Sequence, residues 1–107
     1  MIVVEKEPGT KIEYSAAGNM ISFRGGELSL DLSRFERDFP VHIDICENAF
    51  RMLTMGISRK YVAQIDIPAR KYTEVQDGVD EEGNPKMVMQ PVPFSMDNVT
   101  LTLWEVE

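Results

Sequence analysis

The sequence predicts an all-β fold: one domain over residues 1–107, built as an antiparallel β-sandwich or a small β-barrel of about seven to nine short strands. Three observations lead to this prediction. Apolar and polar residues alternate over most of the chain, which is the period of a half-buried strand. Clusters of turn-forming residues separate the alternating runs. No linker or low-complexity segment divides the chain, so we expect a single domain.

The N-terminal part alternates most regularly. Three strands are predicted there, over 11–15, 20–24 and 28–33, each with apolar residues at every second position. The turn formers A-G-N at 17–19 and G-G at 25–26 lie between these runs. Strands separated by such short turns are expected to form a meander of antiparallel hairpins.

Two short helical turns interrupt the predicted strands, near 34–38 and 48–55. Ser33 and Glu36 match a capping box, in which the hydroxyl of the first accepts from the amide of the second. Asn48 is placed to cap the second turn. Phe50 and Met52 also fit the spacing of a strand, so a strand is the alternative for that segment.

Strands return in the C-terminal half. Alternation runs from 61 to 67, where Pro68 interrupts it, and resumes from 71 to 75. The run Q-D-G-V-D-E-E-G-N-P-K is rich in acids and turn formers, which indicates a long hairpin over 74–86. A return strand and a final strand over 99–106 complete the domain.

Composition excludes several classes of function. The net charge of −7, from 18 acidic and 11 basic residues, repels phosphate backbones, so we expect no nucleic-acid partner. No apolar run is long enough to span a bilayer, and the N-terminal residues lack the features of a signal peptide. The single cysteine forms no intrachain disulfide. We therefore expect a cytoplasmic protein with no membrane partner.

The stretch V-H-I-D-I-C contains the only histidine and the only cysteine of the chain. On a straight strand His42 and Cys46 lie about 13 Å apart along the backbone, which is too far for a nucleophile and its base. We therefore expect a structural strand, no enzyme activity and no cofactor. An enzyme or metal site around His42, Asp44 and Cys46 is the alternative if the chain bends there or distant carboxylates contribute.

Basic and aromatic residues recur together in two R-K-Y triplets, at 59–61 and 70–72. Their odd spacing places them on opposite faces of one continuous strand, so only a bend at Pro68 would unite them. Methionines on the return strand suit an adaptable docking strip. The candidate ligand or partner contacts are therefore Arg59, Lys60, Tyr61, Arg70, Lys71, Tyr72, Met87, Met89 and Trp104.

The function that the sequence favours is a non-enzymatic interaction or assembly module. It would act through exposed edge strands and the 74–86 hairpin, with a protein partner in a homo-oligomer or a larger assembly. A small, acidic, cysteine-poor chain with a D-x-x-G-N-P hairpin tip suits a structural component of a phage or prophage. The alternative is a β-barrel that binds a small ligand through the basic and aromatic candidates.

Overall fold

The computed structural model describes residues 1–106 and confirms the all-β prediction. Short 3₁₀ turns cover Leu32–Arg34 and Met96–Asn98. There are ten strands among these residues: β1 Ile2–Glu5, β2 Tyr14–Ala17, β3 Met20–Phe23, β4 Leu28–Asp31, β5 Val41–Glu47, β6 Leu53–Met55, β7 Lys60–Ile67, β8 Tyr72–Val79, β9 Pro85–Pro91 and β10 Thr100–Leu103. The number is slightly above the expected range because β1 and β6 also form strands.

The strands form three sheets. A five-stranded sheet has the order β1-β10-β7-β5-β6, a three-stranded sheet has the order β2-β3-β4, and β8 pairs with β9. All pairs are antiparallel except β1 with β10. A parallel pair cannot be closed by a tight turn, and here almost the whole chain connects the two strands.

One hydrophobic core joins the two larger sheets. Ile21 and Phe23 from the three-stranded sheet and Ile65 and Leu101 from the five-stranded sheet are all fully buried in the same cluster. The domain is therefore a sandwich of two packed sheets. Within residues 1–106 no sheet closes on itself, so the barrel alternative is wrong.

The first helical turn lies slightly before its expected position, at Leu32–Arg34 instead of near 34–38. Its cap is Asp31, whose carboxylate accepts from the Ser33 amide at 3.1 Å and also from the Ser33 hydroxyl. The predicted capping box is not used. Asp31 precedes Ser33 and offers the stronger acceptor, so the turn begins earlier.

The segment near 48–55 forms a turn and a strand instead of the predicted helical turn. The Asn48 side-chain oxygen accepts from the amides of Phe50 and Met52, at 2.8 and 3.1 Å. The chain reverses at Arg51, which has a φ of 62°. Leu53–Met55 then pairs with β5, and this tertiary pairing outweighs the local helical preference.

The predicted 74–86 hairpin is present and forms the centre of a longer projection, which we call the arm (residues 72–91). Its strands β8 and β9 form a sheet of their own, and no arm residue belongs to the hydrophobic core. The molecule measures 66 × 23 × 21 Å, with a Cα radius of gyration of 18.6 Å. A compact chain of this length would have a radius of gyration of roughly 13 Å, so the arm extends away from the sandwich.

Candidate functional site

His42 lies on the solvent-facing side of the five-stranded sheet and contacts two carboxylates. Its Nδ1 is 2.6 Å from Asp66 Oδ1, and its Nε2 is 2.8 Å from Asp44 Oδ1. Asp66 lies directly across from His42 on the neighbouring strand, and Asp44 is two residues along the same strand. Only the imidazolium form can donate from both ring nitrogens. The geometry therefore favours a charged histidine within an ion-pair network.

Hydrogen bonds from His42 to Asp66 and then to Asp44 raise the pKa of His42 above its usual value. Gln64 donates to the same Asp44 oxygen at 2.9 Å, and this bond is the main cause of the lowered pKa of Asp44. Trp104 donates its indole N–H to Gln64 at 3.0 Å. The network thus runs across β5 and β7 to the residue that follows β10, which indicates a structural role.

The raised pKa makes the stability of the fold depend on pH. The contribution of His42 is complete below the pKa of an unfolded histidine, about 6.5, and is lost as the pH rises through the higher pKa of the folded state. We therefore expect the melting temperature to fall between about pH 6 and pH 8, where other side chains titrate little. The His42→Gln variant should show a flatter profile over the same range. If the melting temperature depended equally on pH in the wild type and in the His42→Gln variant, the result would contradict a charged His42.

Cys46 does not join this network. Its residue is fully buried, whereas the side chain of His42 is 48% exposed, and the strand between them stays extended. Among residues 1–106 there is no group of three or more His, Cys, Asp or Glu side chains arranged to hold a metal ion. Of the three residues in the alternative of an enzyme or metal site, His42 and Asp44 therefore converge, whereas Cys46 stays apart from them.

The two R-K-Y triplets lie at opposite ends of β7. Lys60 begins this strand and Ile67 ends it, and seven residue steps of about 3.3 Å separate them by about 23 Å. Tyr61 stacks on Trp104, with ring centroids 5.3 Å apart, and the Lys6 ammonium lies 5.8 Å from the Trp104 ring. The predicted ligand contacts therefore do not converge on one site.

The second triplet fixes the root of the arm. Arg70 reaches Asp38 at 3.0 Å and Glu36 at 3.4 Å, and its amide donates to the Arg37 carbonyl at 2.7 Å. The Tyr72 hydroxyl donates to Asp38 at 2.6 Å, and this bond is the main cause of the lowered pKa of Asp38. These contacts hold the first residues of the arm against the 36–38 loop.

An exposed apolar strip runs along one face of the arm, and we call it the arm face (Val79, Met87 and Met89). Their exposed fractions are 61%, 49% and 60%. Met87 and Met89 are two residues apart and share a face, and Val79 joins them because it lies opposite Pro85. The two predicted methionine contacts therefore lie together on a solvent-accessible surface.

A surface of which the sequence revealed only Arg59 and Lys60 lies at the other end of the sandwich. We call it the basic pole (Phe50, Arg51, Met52, Arg59 and Lys60). It lies where Glu47 pairs with Lys60, whereas the arm leaves from the end where Val41 pairs with Ile67. Phe50 and Met52 are 81% and 53% exposed. A groove of about 310 Å³ is lined by Asn48, Arg51, Arg59 and Lys60, among others.

Arg24 connects the two sheets at the basic pole. Its guanidinium donates to Glu47 at 2.7 Å, to Glu27 at 3.1 and 2.9 Å, and to the Arg51 carbonyl at 2.7 Å. Arg24 and Arg51 are the two non-glycine residues with positive φ among the residues described, at 53° and 62°. Such strained backbone conformations concentrate at functional sites, so their meeting at this pole marks it as a candidate surface.

The cavity at the arm root is too small for the ligand of the small-ligand alternative. This cavity has a volume of about 20 Å³ and is lined by Ile67, Pro68 and Phe94, among others. It has room for about one water molecule.

No family model, curated protein or solved structure matches this chain. A search of residues 1–106 for a helix with the length and apolar character needed to cross a bilayer finds none. The geometry of the arm and the basic pole is therefore the basis for assigning a function.

Proposed function

We propose that this chain is a non-enzymatic assembly module that binds a protein partner through its arm. The observation that carries the proposal is a two-stranded hairpin that stands apart from the core and exposes apolar side chains on one face. An isolated two-stranded hairpin is marginally stable in water. Contact with a partner would cover the arm face and stabilise the hairpin.

The composition of the arm face suits protein recognition. Methionine side chains are flexible and polarisable, so Met87 and Met89 can adapt to an apolar partner surface. Glu74 and Gln76 lie opposite them on β8 and supply polar groups beside the strip. The outer edges of β8 and β9 also offer backbone groups for strand addition.

The contacts at the root of the arm prepare it for binding. Because Arg70 and Tyr72 both bind Asp38, the direction of the arm is fixed before a partner arrives. Such preorganisation lowers the entropy that binding would otherwise cost. A structural component of a phage or prophage is the context that we propose, because a small, acidic, cysteine-poor chain with a D-x-x-G-N-P hairpin tip suits it.

Edge strand β1 provides a second exposed surface. Ile2, Val3 and Val4 are each more than two-fifths exposed, and β1 pairs on one side only, with β10. An exposed apolar edge with unpaired backbone groups favours strand addition by another chain. We propose it as an additional contact of the assembled state.

Photo-crosslinking tests this proposal. A photoreactive phenylalanine in place of Met89 should give discrete protein adducts in cells that express the chain natively. The matched control carries the same group in place of Gln90, which is also exposed but faces the opposite side of β9. We expect the Gln90 position to give far fewer adducts because it lies off the arm face.

A chain with a shortened arm provides a second control, which tests whether the sandwich folds without the arm. Thr73 lies directly opposite Gln90, so an Asn-Gly turn can replace residues 74–89 and close the hairpin early. The core contains no arm residue, and we expect the melting temperature to change little. If the photoreactive group gives no discrete adducts at either Met89 or Gln90, or equal yields at both, the result would contradict the proposed role of the arm.

A further inference from the structure

We propose that the arm of one copy docks on the basic pole of a second copy, so that the chains associate head to tail. This inference rests on the proposed function and identifies the partner as the same chain. Its basis is the complementary chemistry of two surfaces at opposite ends of β7.

The tip of the arm is strongly acidic. Four carboxylates, Asp77, Asp80, Glu81 and Glu82, lie within six residues that contain no basic residue. Asp80 shapes the tip, because its side chain accepts from the amides of Glu82 and Asn84, both at 2.9 Å. Asp77, Glu81 and Glu82 make no ion pair within residues 1–106, so their charges are available to a partner.

The basic pole offers the opposite charge. Arg59 and Lys60 form no ion pair within the described part of the chain, and Arg51 reaches Glu47 only at 3.8 Å. Glu47 already receives a hydrogen bond from Arg24 at 2.7 Å. The groove beside these side chains therefore presents unneutralised cations, although the whole chain carries a charge of −7.

Apolar groups accompany the charges on both surfaces. Phe50 and Met52 at the pole are 81% and 53% exposed, and Val79 near the tip is 61% exposed. Docking would remove these side chains from water while the acidic tip meets the cations. Interfaces of this kind combine an apolar centre with complementary charges around it.

The positions of the surfaces determine the type of assembly. A tip-to-tip contact between two arms would bring two acidic tips together, so this symmetric contact is disfavoured. A contact between different surfaces leaves one arm and one pole free after each addition. Such a heterologous contact builds a ring if it closes and a filament if it does not.

Charge reversal tests the docking. The pole variant carries Arg59→Glu and Lys60→Glu, and the arm variant carries Glu81→Lys and Glu82→Lys; all four residues are exposed. Analytical ultracentrifugation should show concentration-dependent association of the wild-type chain. Each variant alone should associate roughly tenfold or more weakly, because like charges then meet at the contact.

An equimolar mixture of the two variants provides the decisive result. The unchanged arm of the pole variant then meets the unchanged pole of the arm variant, and the lysine-bearing tip meets the glutamate-bearing pole. We expect the mixture to recover association, with unchanged melting temperatures for both variants. A wild-type chain that stays monomeric at its highest soluble concentration, or a mixture that stays monomeric, would overturn self-docking. If Met89 still crosslinks to a different protein, the proposed function stands and only the identity of the partner changes.

Discussion

Replacing Phe23 with alanine is expected to lower the free energy of unfolding by about 3–5 kcal/mol. Phe23 is fully buried in β3 and belongs to the core shared by the two larger sheets. Its removal leaves a cavity that both sheets border. Domains of this kind are stable by only about 5–15 kcal/mol, so the variant should be close to unfolding.

Urea denaturation followed by circular dichroism measures this loss. The matched control is Phe50→Ala, because Phe50 is 81% exposed and lies outside the core. We expect the control to change the free energy of unfolding by less than about 0.5 kcal/mol. The control should instead weaken self-association, because Phe50 belongs to the basic pole. Equal destabilisation by the two substitutions would show that the core is placed wrongly.

Replacing Arg24 with alanine is expected to lower the free energy of unfolding by about 1.5–3 kcal/mol. The change removes hydrogen bonds to Glu27, to Glu47 and to the Arg51 carbonyl. Arg24 is the side chain that ties the β3–β4 turn to the end of β5. Its loss leaves the partly buried carboxylate of Glu47 and the exposed carboxylate of Glu27 without their main cation.

Two comparisons isolate this effect. Arg34→Ala should have little effect, because the side chain of Arg34 is 84% exposed and its ion pair with Asp31 is 3.5 Å long. Arg24→Gly should be less damaging than Arg24→Ala, because glycine adopts the observed φ of 53° without strain. Chemical denaturation of the three variants measures their free energies of unfolding. It thereby separates the effect of the lost side-chain contacts from the effect of backbone strain. An Arg24→Ala chain as stable as the wild type would contradict the link between the sheets.

Local patterns in the sequence were sufficient to predict most of the fold. Ile21 and Phe23, like Leu30 and Leu32, are separated by a polar residue. This alternation correctly predicted that all four are buried in the core. Gly18, with a φ of 58°, forms the turn that A-G-N predicted. Pro68 follows the last residue of β7, as expected of a residue that donates no backbone hydrogen bond.

The errors arose where distant residues decide the structure. β1 becomes a strand because it pairs with residues 100–103 at the other end of the sequence. β6 replaces the expected helical turn because β5 offers it a partner. The β1 pairing leaves no local pattern, since alternation describes one strand at a time, whereas the spacing of Phe50 and Met52 had offered a strand as the alternative near β6.

The candidate site was predictable only in part. The two-residue spacing of Met87 and Met89 correctly indicated that they share a face of the return strand. Of the basic pole only Arg59 and Lys60 were predicted, because the β5–β6 turn is what brings Arg51 beside Arg59. The left-handed conformation of Arg24 has no sequence signal of its own, although the following Gly25 marks a turn. The partner of His42, Asp66, is 24 residues away and visible only through strand register.

Small-angle X-ray scattering tests the central claim, that the arm projects from the sandwich and is available to a partner. The Arg59→Glu, Lys60→Glu variant is the suitable sample, because it should remain monomeric. We expect a radius of gyration close to 18.6 Å and a longest dimension near 66 Å. A radius of gyration near the value of roughly 13 Å for a compact chain would show the arm folded against the body and contradict the claim.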